Sequence, residues 1–255
     1  MTTASLLLIQ VGTPPDDIRA TFGDLPDWFS RVLDLPRERI EAVRVFEGET
    51  LPPPDAGRVA VITGSWAMVT DRLPWSEAAA QWIREAMAIG MPLFGVCYGH
   101  QLMAHALGGR VDYHPRGPEV GCLAIDLAPA AAGDPLLKSW PATFKAHLTH
   151  EQTIVTPPPG AQVLAASARD AHQIVRYGPN AISTQFHPEF TTGISAACIR
   201  RRDATLRQNG QDPEAMLAAL DTTSAAARLL REFVAAAGAT GRAASAEPHP
   251  VDAPA

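Results

Sequence analysis

Two short stretches carry residue types and spacings that can do chemistry. The first is Phe94-Gly-Val-Cys97-Tyr-Gly-His-Gln101, which follows the apolar run Met91–Val96. The run reads as a short buried strand, and helical spacing resumes through Leu102, Met103, Ala106 and Leu107. Between them, Gly95-x-Cys97-x-Gly99 is the sharp strand-to-helix turn of a nucleophile elbow, with a sulfur in place of a hydroxyl. Glycines on both sides let the backbone turn tightly without Cβ clashes. The amide dipoles of the following helix favour a thiolate, which is the reactive form of cysteine. A free cysteine is otherwise a commonly buried, inert side chain, so the elbow gains its meaning from a base elsewhere.

The second stretch supplies that base. Ala181-Ile-Ser-Thr-Gln185-Phe-His187-Pro-Glu189-Phe190 reads as a strand that runs into a His-Pro-Glu step. Proline removes a ladder donor and holds the residue before it extended, which ends the strand. Residues two apart in an extended chain point the same way, so Glu189 is placed to orient the His187 imidazole. Alone, the tripeptide is an ordinary strand-end histidine beside a surface acid. Joined to the elbow, it completes a set of nucleophile, base and orienting carboxylate.

The elements that must hold these residues follow from the pattern. Strand-like runs occur at Ser5–Val11, Ala42–Phe46, Arg58–Thr63 and Met91–Val96, with helical spacing between them, most clearly over Trp75–Ile89. Such alternation predicts βαβ units and a largely parallel sheet. From Val120 to Gln185 the runs are short, alternating and separated by turn residues, so antiparallel strands are expected to extend the sheet. Two helices, about Thr192–Gln208 and Pro213–Ala236, close the chain. The fold class expected is α/β: an open, mostly parallel but mixed sheet flanked by helices. One domain is expected over residues 1–237, with a disordered Ala- and Pro-rich tail over 238–255.

Composition excludes several roles. Of 255 residues, 46% are apolar and 19% charged, and no run approaches the roughly 20 apolar residues of a membrane span. A net charge of −6 argues against a nucleic-acid partner; Arg200-Arg-Arg202 reads as a solvated helix face. The start lacks a basic leader and runs straight into a strand, and the three cysteines (Cys97, Cys122, Cys198) form no disulfide pattern, so a cytoplasmic protein is expected. No histidine pair has the spacing and neighbouring acid of a zinc motif, so no metal and no cofactor is expected. His105 reads as a satisfied packing residue, and Cys122 and Cys198 lack both elbow and base. Oligomeric state is not encoded legibly.

The chain resembles the class I, triad-type glutamine amidotransferases, a flavodoxin-like fold. The resemblance rests on the elbow, on Gln185-Phe-His187-Pro-Glu189, and on Val61-Ile-Thr-Gly64-Ser65-Trp66-Ala-Met-Val69-Thr-Asp71, which is similar to the family's glycine-rich loop after an early strand. It covers about Leu6 to Phe190 and is strongest for small proteins like the GMP synthase glutaminase domain. It implies Cys97 as nucleophile, His187 as base and then acid, and Glu189 as its orienter. It implies an oxyanion hole from the backbone amides of Tyr98 and of the Gly64–Ser65 turn. Gly64, Gln101 and His150 would line the substrate site. Two departures bear on specificity: Trp66 stands where many relatives have proline, and Thr149-His-Glu-Gln152 replaces a His-Gly-Asp loop. The substrate implied is glutamine or another γ-glutamyl compound, with any ammonia acceptor or synthetase on a separate protein. Two alternatives stay open: a γ-glutamyl hydrolase or peptidase with the same triad, and a non-catalytic binding protein on this scaffold.

Overall fold

The structure, a computed structural model, describes residues 6–244. Five parallel strands form one half of a nine-stranded sheet: β1 (Leu6–Gln10), β2 (Ile40–Arg44), β3 (Ala60–Ile62), β4 (Leu93–Val96) and, from far along the chain, β11 (Ala181–Thr184). The order β2-β1-β3-β4-β11 puts the elbow strand at the centre. Antiparallel strands continue the sheet through β10 (Ile174–Gly178), β9 (Gln162–Ala166), β6 (Glu119–Leu127) and β7 (Thr143–His150). A separate ribbon pairs β5 (Arg110–Tyr113) with β8 (Gln152–Thr156). The open, mixed, mostly parallel sheet matches the expectation from the sequence, although β5, short and half exposed, has no alternating signature and escapes it.

Helices cover both faces. Successive residues of β1 point to opposite sides, and all five are buried. Leu6 and Leu8 pack with Phe29 and Leu33 of α2 (Leu25–Leu33) and with Leu229, Leu230 and Phe233 of α8 (Ser224–Ala244). Leu7 and Ile9 pack on the other side, with Trp82 and Ile83 of α3 (Pro74–Ala88) and Leu102 and Met103 of α4 (Tyr98–Ala106). Beyond the sheet's carboxyl edge lie α1 (Asp16–Phe22) and α5 (Thr192–Arg201), joined by Ile18, Trp28, Phe190, Ile194 and Cys198. Two short helices, α6 (Asp203–Gln208) and α7 (Pro213–Ala218), pack Leu206, Met216 and Leu217 beside Val120 of β6.

The terminal helices differ from the sequence reading in two ways. The expected helix over Pro213–Ala236 is broken between α7 and α8. There Asp221 accepts from the Thr222 amide at 2.8 Å, and such local bonds compete with helix propagation. At its far end, α8 runs on to Ala244 rather than stopping near residue 237. Gly238 and Gly241 are poor helix formers, and the extension follows from propagation of a helix already nucleated by packing. The expected disordered tail otherwise falls at 245–255, outside the described residues. No helix among the described residues is long and apolar enough to cross a membrane.

Candidate active site

Sheet order brings the two chemical stretches together. β4 and β11 are parallel neighbours in register Val96↔Thr184, so both chains leave the sheet at the same edge. The Cys97 amide donates to the Thr184 carbonyl at 2.8 Å. β3 lies on the other side of β4, with Ile62 opposite Gly95, and delivers Gly64 and Ser65 to the same place. Three strand ends therefore converge at the carboxyl edge of an open α/β sheet, where ligands bind in such folds.

The elbow is sterically demanding. Cys97 is the N-cap of α4 with φ 51° and ψ −98°, a positive-φ conformation that costs a side-chain-bearing residue about 1–3 kcal/mol. Around it the bonds from Cys97 to Thr184 and from the Gly99 amide to the Thr63 carbonyl (3.1 Å) hold the turn. Gly99 is required because a Cβ there would sit 2.5 Å from the Ile62 carbonyl oxygen. Gly95 is required because a Cβ would meet the Gly99 carbonyl oxygen at 2.6 Å and Met103 Sδ at 2.7 Å. Both glycines thus serve close packing of helix on strand, and the positive φ falls on the cysteine itself.

His187 and Glu189 lie together as the extended spacing predicts. Nδ1 of His187 is 2.8 Å from Glu189 Oε1, and both side chains are buried. The ring stacks on Phe190 with centroids 4.0 Å apart, and the His187 amide donates to the His147 carbonyl at 2.9 Å. Burial alone would push the imidazole down, but the Glu189 carboxylate and Cys97 outweigh it and raise the group to about 10. Nε2 has no hydrogen-bond partner among the described residues. It is the nitrogen left free to exchange a proton. Cys97, His187 and Glu189 share one cavity wall with Gly64, Ser65 and Trp66.

A second cavity of about 100 Å³ opens from Cys97 along Ser65, Tyr98 and Gln101 to Thr149, Glu151 and Arg202. The backbone amides of Ser65 and Tyr98 donate to no protein acceptor among the described residues. Gln101 is buried, and its Nε2 donates to the Gln152 carbonyl (2.8 Å) and to Gln185 Oε1 (2.9 Å), so it braces the wall as well as lining it. Gly64 keeps the wall thin: a Cβ there would lie 3.0 Å from His187 Cε1 and 3.6 Å from Cys97 Cβ. Trp66 packs on the Ile18, Trp28 and Phe190 cluster and also lines both cavities.

His150 lines the second cavity, with its ring engaged by the protein. Its Nδ1 is 2.9 Å from the Gln152 carbonyl and its Nε2 is 3.0 Å from Glu119 Oε2, so neither nitrogen is left for a substrate. It anchors the loop instead. Glu119, His150 and Asp170 hold ligand-type atoms within 4.8 Å of one another. Those atoms are hydrogen-bonded within the protein: Glu119 to Ser167 and Gln173, and Asp170 to Thr153. The group is therefore a satisfied polar core and does not fit a cation site.

Arg202 also departs from the sequence reading of a solvated face. It caps the end of α5, turns toward the elbow and lines both cavities. No local pattern marks it, because a basic run on a helix end looks the same whichever way each member turns. The other cysteines are poor nucleophiles by environment. Burial pushes Cys198 up to about 12, and burial also raises Cys122. His105 meets Glu77 at 3.0 Å, a satisfied surface pair.

Comparison with known proteins bears on the family and the fold. The family model described as glutamine amidotransferase class-I matches residues 60–202, more than half of the chain. The glutamine-hydrolyzing GMP synthase subunit of Ignicoccus hospitalis is 31% identical over 60% of this chain and 78% of that protein. The match to a GMP synthase from Thermomicrobium roseum, at 36% identity, spans 55% of this chain but only 25% of that longer protein. Gamma-glutamyl peptidase 4 from Arabidopsis thaliana is 26% identical over 76% of this chain and 79% of its own length. Among solved structures, a glutamine amidotransferase from Thermotoga maritima superposes with a TM-score of 0.71 at 21% identity, covering 92% of this chain and 98% of that one, and so shares its fold. The chain belongs to the class-I glutamine amidotransferase family.

Proposed function

We propose that the protein hydrolyses the γ-carbonyl to nitrogen bond of glutamine through Cys97, His187 and Glu189. The Cys97 sulfur attacks the γ-carbonyl as thiolate, forming a carbon–sulfur bond and a tetrahedral oxyanion. That charge develops against the unpartnered amides of Ser65 and Tyr98, where fixed donors stabilise it most. The imidazolium of His187, held by Glu189, protonates the nitrogen; the carbon–nitrogen bond breaks and ammonia leaves. Neutral His187 then takes a proton from water, whose oxygen attacks the γ-glutamyl thioester and releases glutamate and the thiolate. The observation that carries this reading is the buried His187–Glu189 pair at 2.8 Å, facing a cysteine held at a strained helix N-cap.

The ammonia is proposed to pass to an acceptor on a separate protein, in keeping with the likeness to a subunit of a glutamine-hydrolyzing GMP synthase. A second reading keeps the chemistry and changes the leaving amine to that of a γ-glutamyl peptide. It draws support from the bulky Trp66 in both cavity walls and from the likeness to a gamma-glutamyl peptidase over 76% of this chain and 79% of that protein. Glutamate release from glutamine, measured beside amine release from γ-glutamyl dipeptides, separates the two. Mapping a glutamine-like electrophile is expected to find its adduct on Cys97; modification chiefly of Cys122 or Cys198 overturns both.

A further inference from the structure

A third cavity, of about 300 Å³, lies against Glu189 and is lined by neither Cys97 nor His187. Small-ligand sites begin at about this size. Its rim is basic: Arg31 of α2 and Arg231 of α8 line it, and both are exposed. Arg31 uses only Nη2, on the Phe22 carbonyl at 2.7 Å, and Arg231 bonds no protein group among the described residues. Two helix N-termini open on the same space through Thr192 and Ser224. The Thr192 and Gly193 amides of α5 and the Ser224, Ala225 and Ala226 amides of α8 have no acceptor among the described residues. Such amides carry partial positive charge. The floor is polar and unsatisfied. His147 is 1% exposed, and neither of its ring nitrogens has a partner among the described residues; nor has Glu189 Oε2. Buried polar atoms are seldom left so. Burial, with repulsion from His187, lowers His147 to about 4, so at neutral pH it offers one N–H and one bare nitrogen. The charge of Glu189 is already matched by the His187 imidazolium 2.8 Å away. The floor therefore calls for hydrogen bonds, and the rim for an anion.

We propose that this cavity binds a small hydroxylated phosphomonoester, which acts as an inhibitory effector of the triad beside it. The phosphate sits at the rim, where the arginine forks take its oxygens in parallel pairs and the helix ends add further donors. A single carboxylate would leave most of those donors idle. A hydroxyl on the organic part both donates and accepts, so it accepts from the His147 N–H and donates to Glu189 Oε2. Val32 and Ala227 cover the carbons between. A hydrogen bond given to Oε2 draws charge from the carboxylate that holds the His187 imidazolium, so occupancy lowers turnover. The effect on turnover rests on the hydrolytic reading of the triad given above; the binding does not.

The test is calorimetry on the full chain with three probes at matched ionic strength: glycerol 3-phosphate, inorganic phosphate and sulfate. Glycerol 3-phosphate is expected to bind one to one, and more tightly than either ion. Replacing both arginines, by Arg31→Met with Arg231→Met, should weaken it roughly tenfold or more. Both positions are exposed, so the double variant is expected to melt like the wild type. His147→Leu should erase the advantage of the ester over inorganic phosphate. Equal affinity for all three probes, or affinity indifferent to the arginines, would mean an adventitious ion only and overturn the site. Saturating ester should lower kcat for glutamine roughly twofold or more in the wild type and leave the double variant unchanged. A wild-type kcat that stays level or rises under saturation overturns the effector role. Ester binding by a wild type that turns over no γ-glutamyl compound sinks the hydrolytic reading alone. Turnover in a protein that binds no ester sinks this site alone.

Discussion

A cysteine at φ 51° keeps its sulfur where neither strand nor helix geometry would put it, and the role of nucleophile proposed for it makes sharp demands on its neighbours. Cys97→Ala and His187→Ala are each expected to lower glutamate formation by roughly 10⁴-fold or more, with losses that do not add in the double variant. Glu189→Gln should cost about 10²-fold, because the carboxylate orients and charges the base without entering the bonds that change. Steady-state rates with a parallel thermal melt check both, and a folded Cys97→Ala protein with near-normal turnover would contradict the mechanism. The pH profile carries a second expectation. His187 is raised to about 10, so it still holds the proton that departing ammonia needs throughout the neutral range. The kcat/KM profile, which reports groups of the free enzyme, should therefore hold up toward pH 10 and fall beyond it. Removing the carboxylate in Glu189→Gln takes away a charge that raises the imidazole, so its alkaline limb should move toward neutrality. Superimposable limbs in the two proteins would exclude this cause.

Among the elements, the elbow between β4 and α4 has the least tolerance. Gly99→Ala places a Cβ 2.5 Å from a backbone oxygen of β3 and 2.9 Å from Ile62 Cβ, neither of which can swing aside. A loss of about 1–3 kcal/mol is expected, together with a helix displaced from the thiol it caps. Gly64→Ala makes a different comparison. Its Cβ meets only the edge of the His187 ring at 3.0 Å, so stability should change little while kcat falls. Urea unfolding beside steady-state kinetics separates the two outcomes: a Gly64→Ala protein that loses stability but keeps kcat would show that this contact does not govern the base.

For the molecule as a whole, the antiparallel half of the sheet depends on a buried charge pair. Arg176 on β10 gives Nε to Asp134 Oδ2 at 2.6 Å and Nη2 to Oδ1 at 3.0 Å. Asp134→Ala strands the guanidinium in the interior and is expected to destabilise by about 3–5 kcal/mol; a shift in urea midpoint equivalent to under about 1 kcal/mol would show that water reaches the site. Two buried histidines set the acid limit. Burial, with repulsion from His187, lowers His147 to about 4, and burial lowers His100 to about 3. Both stay neutral in the fold while the unfolded chain takes up protons near pH 6.5, so stability should fall as pH drops from 6.5 toward 4. The slope expected is about 1.4 kcal/mol per pH unit for each histidine. Unfolding free energies measured at several pH values across that window test it, and a flat or rising profile on acidification would refute it.

Local chemistry made much of this protein legible before any fold was known. Gly95-x-Cys97-x-Gly99 announces its turn because packing allows nothing larger beside the cysteine, and His187-Pro-Glu189 announces its geometry because proline enforces an extended chain. The β1, β3 and β4 runs are apolar because they are covered on both faces, so their places as central strands are visible too. Four things depended on the third dimension. That Cys97 and His187 meet at all follows from β11 pairing beside β4, a choice made by sheet order between strands far apart in the chain. His150 was readable as a pocket residue, and it lines the second cavity, but only the fold shows that Glu119 and the Gln152 carbonyl engage both its nitrogens. The length of α8 was hidden because Gly238 and Gly241 read as helix stops and no apolar stripe marks the turns beyond them. Arg202 was hidden as well, since spacing assigns a residue to a helix end but only packing decides whether it turns to solvent or toward the thiol. Side-chain direction at an element's end is set by neighbours far away in the chain, and those neighbours exist only once the chain has folded.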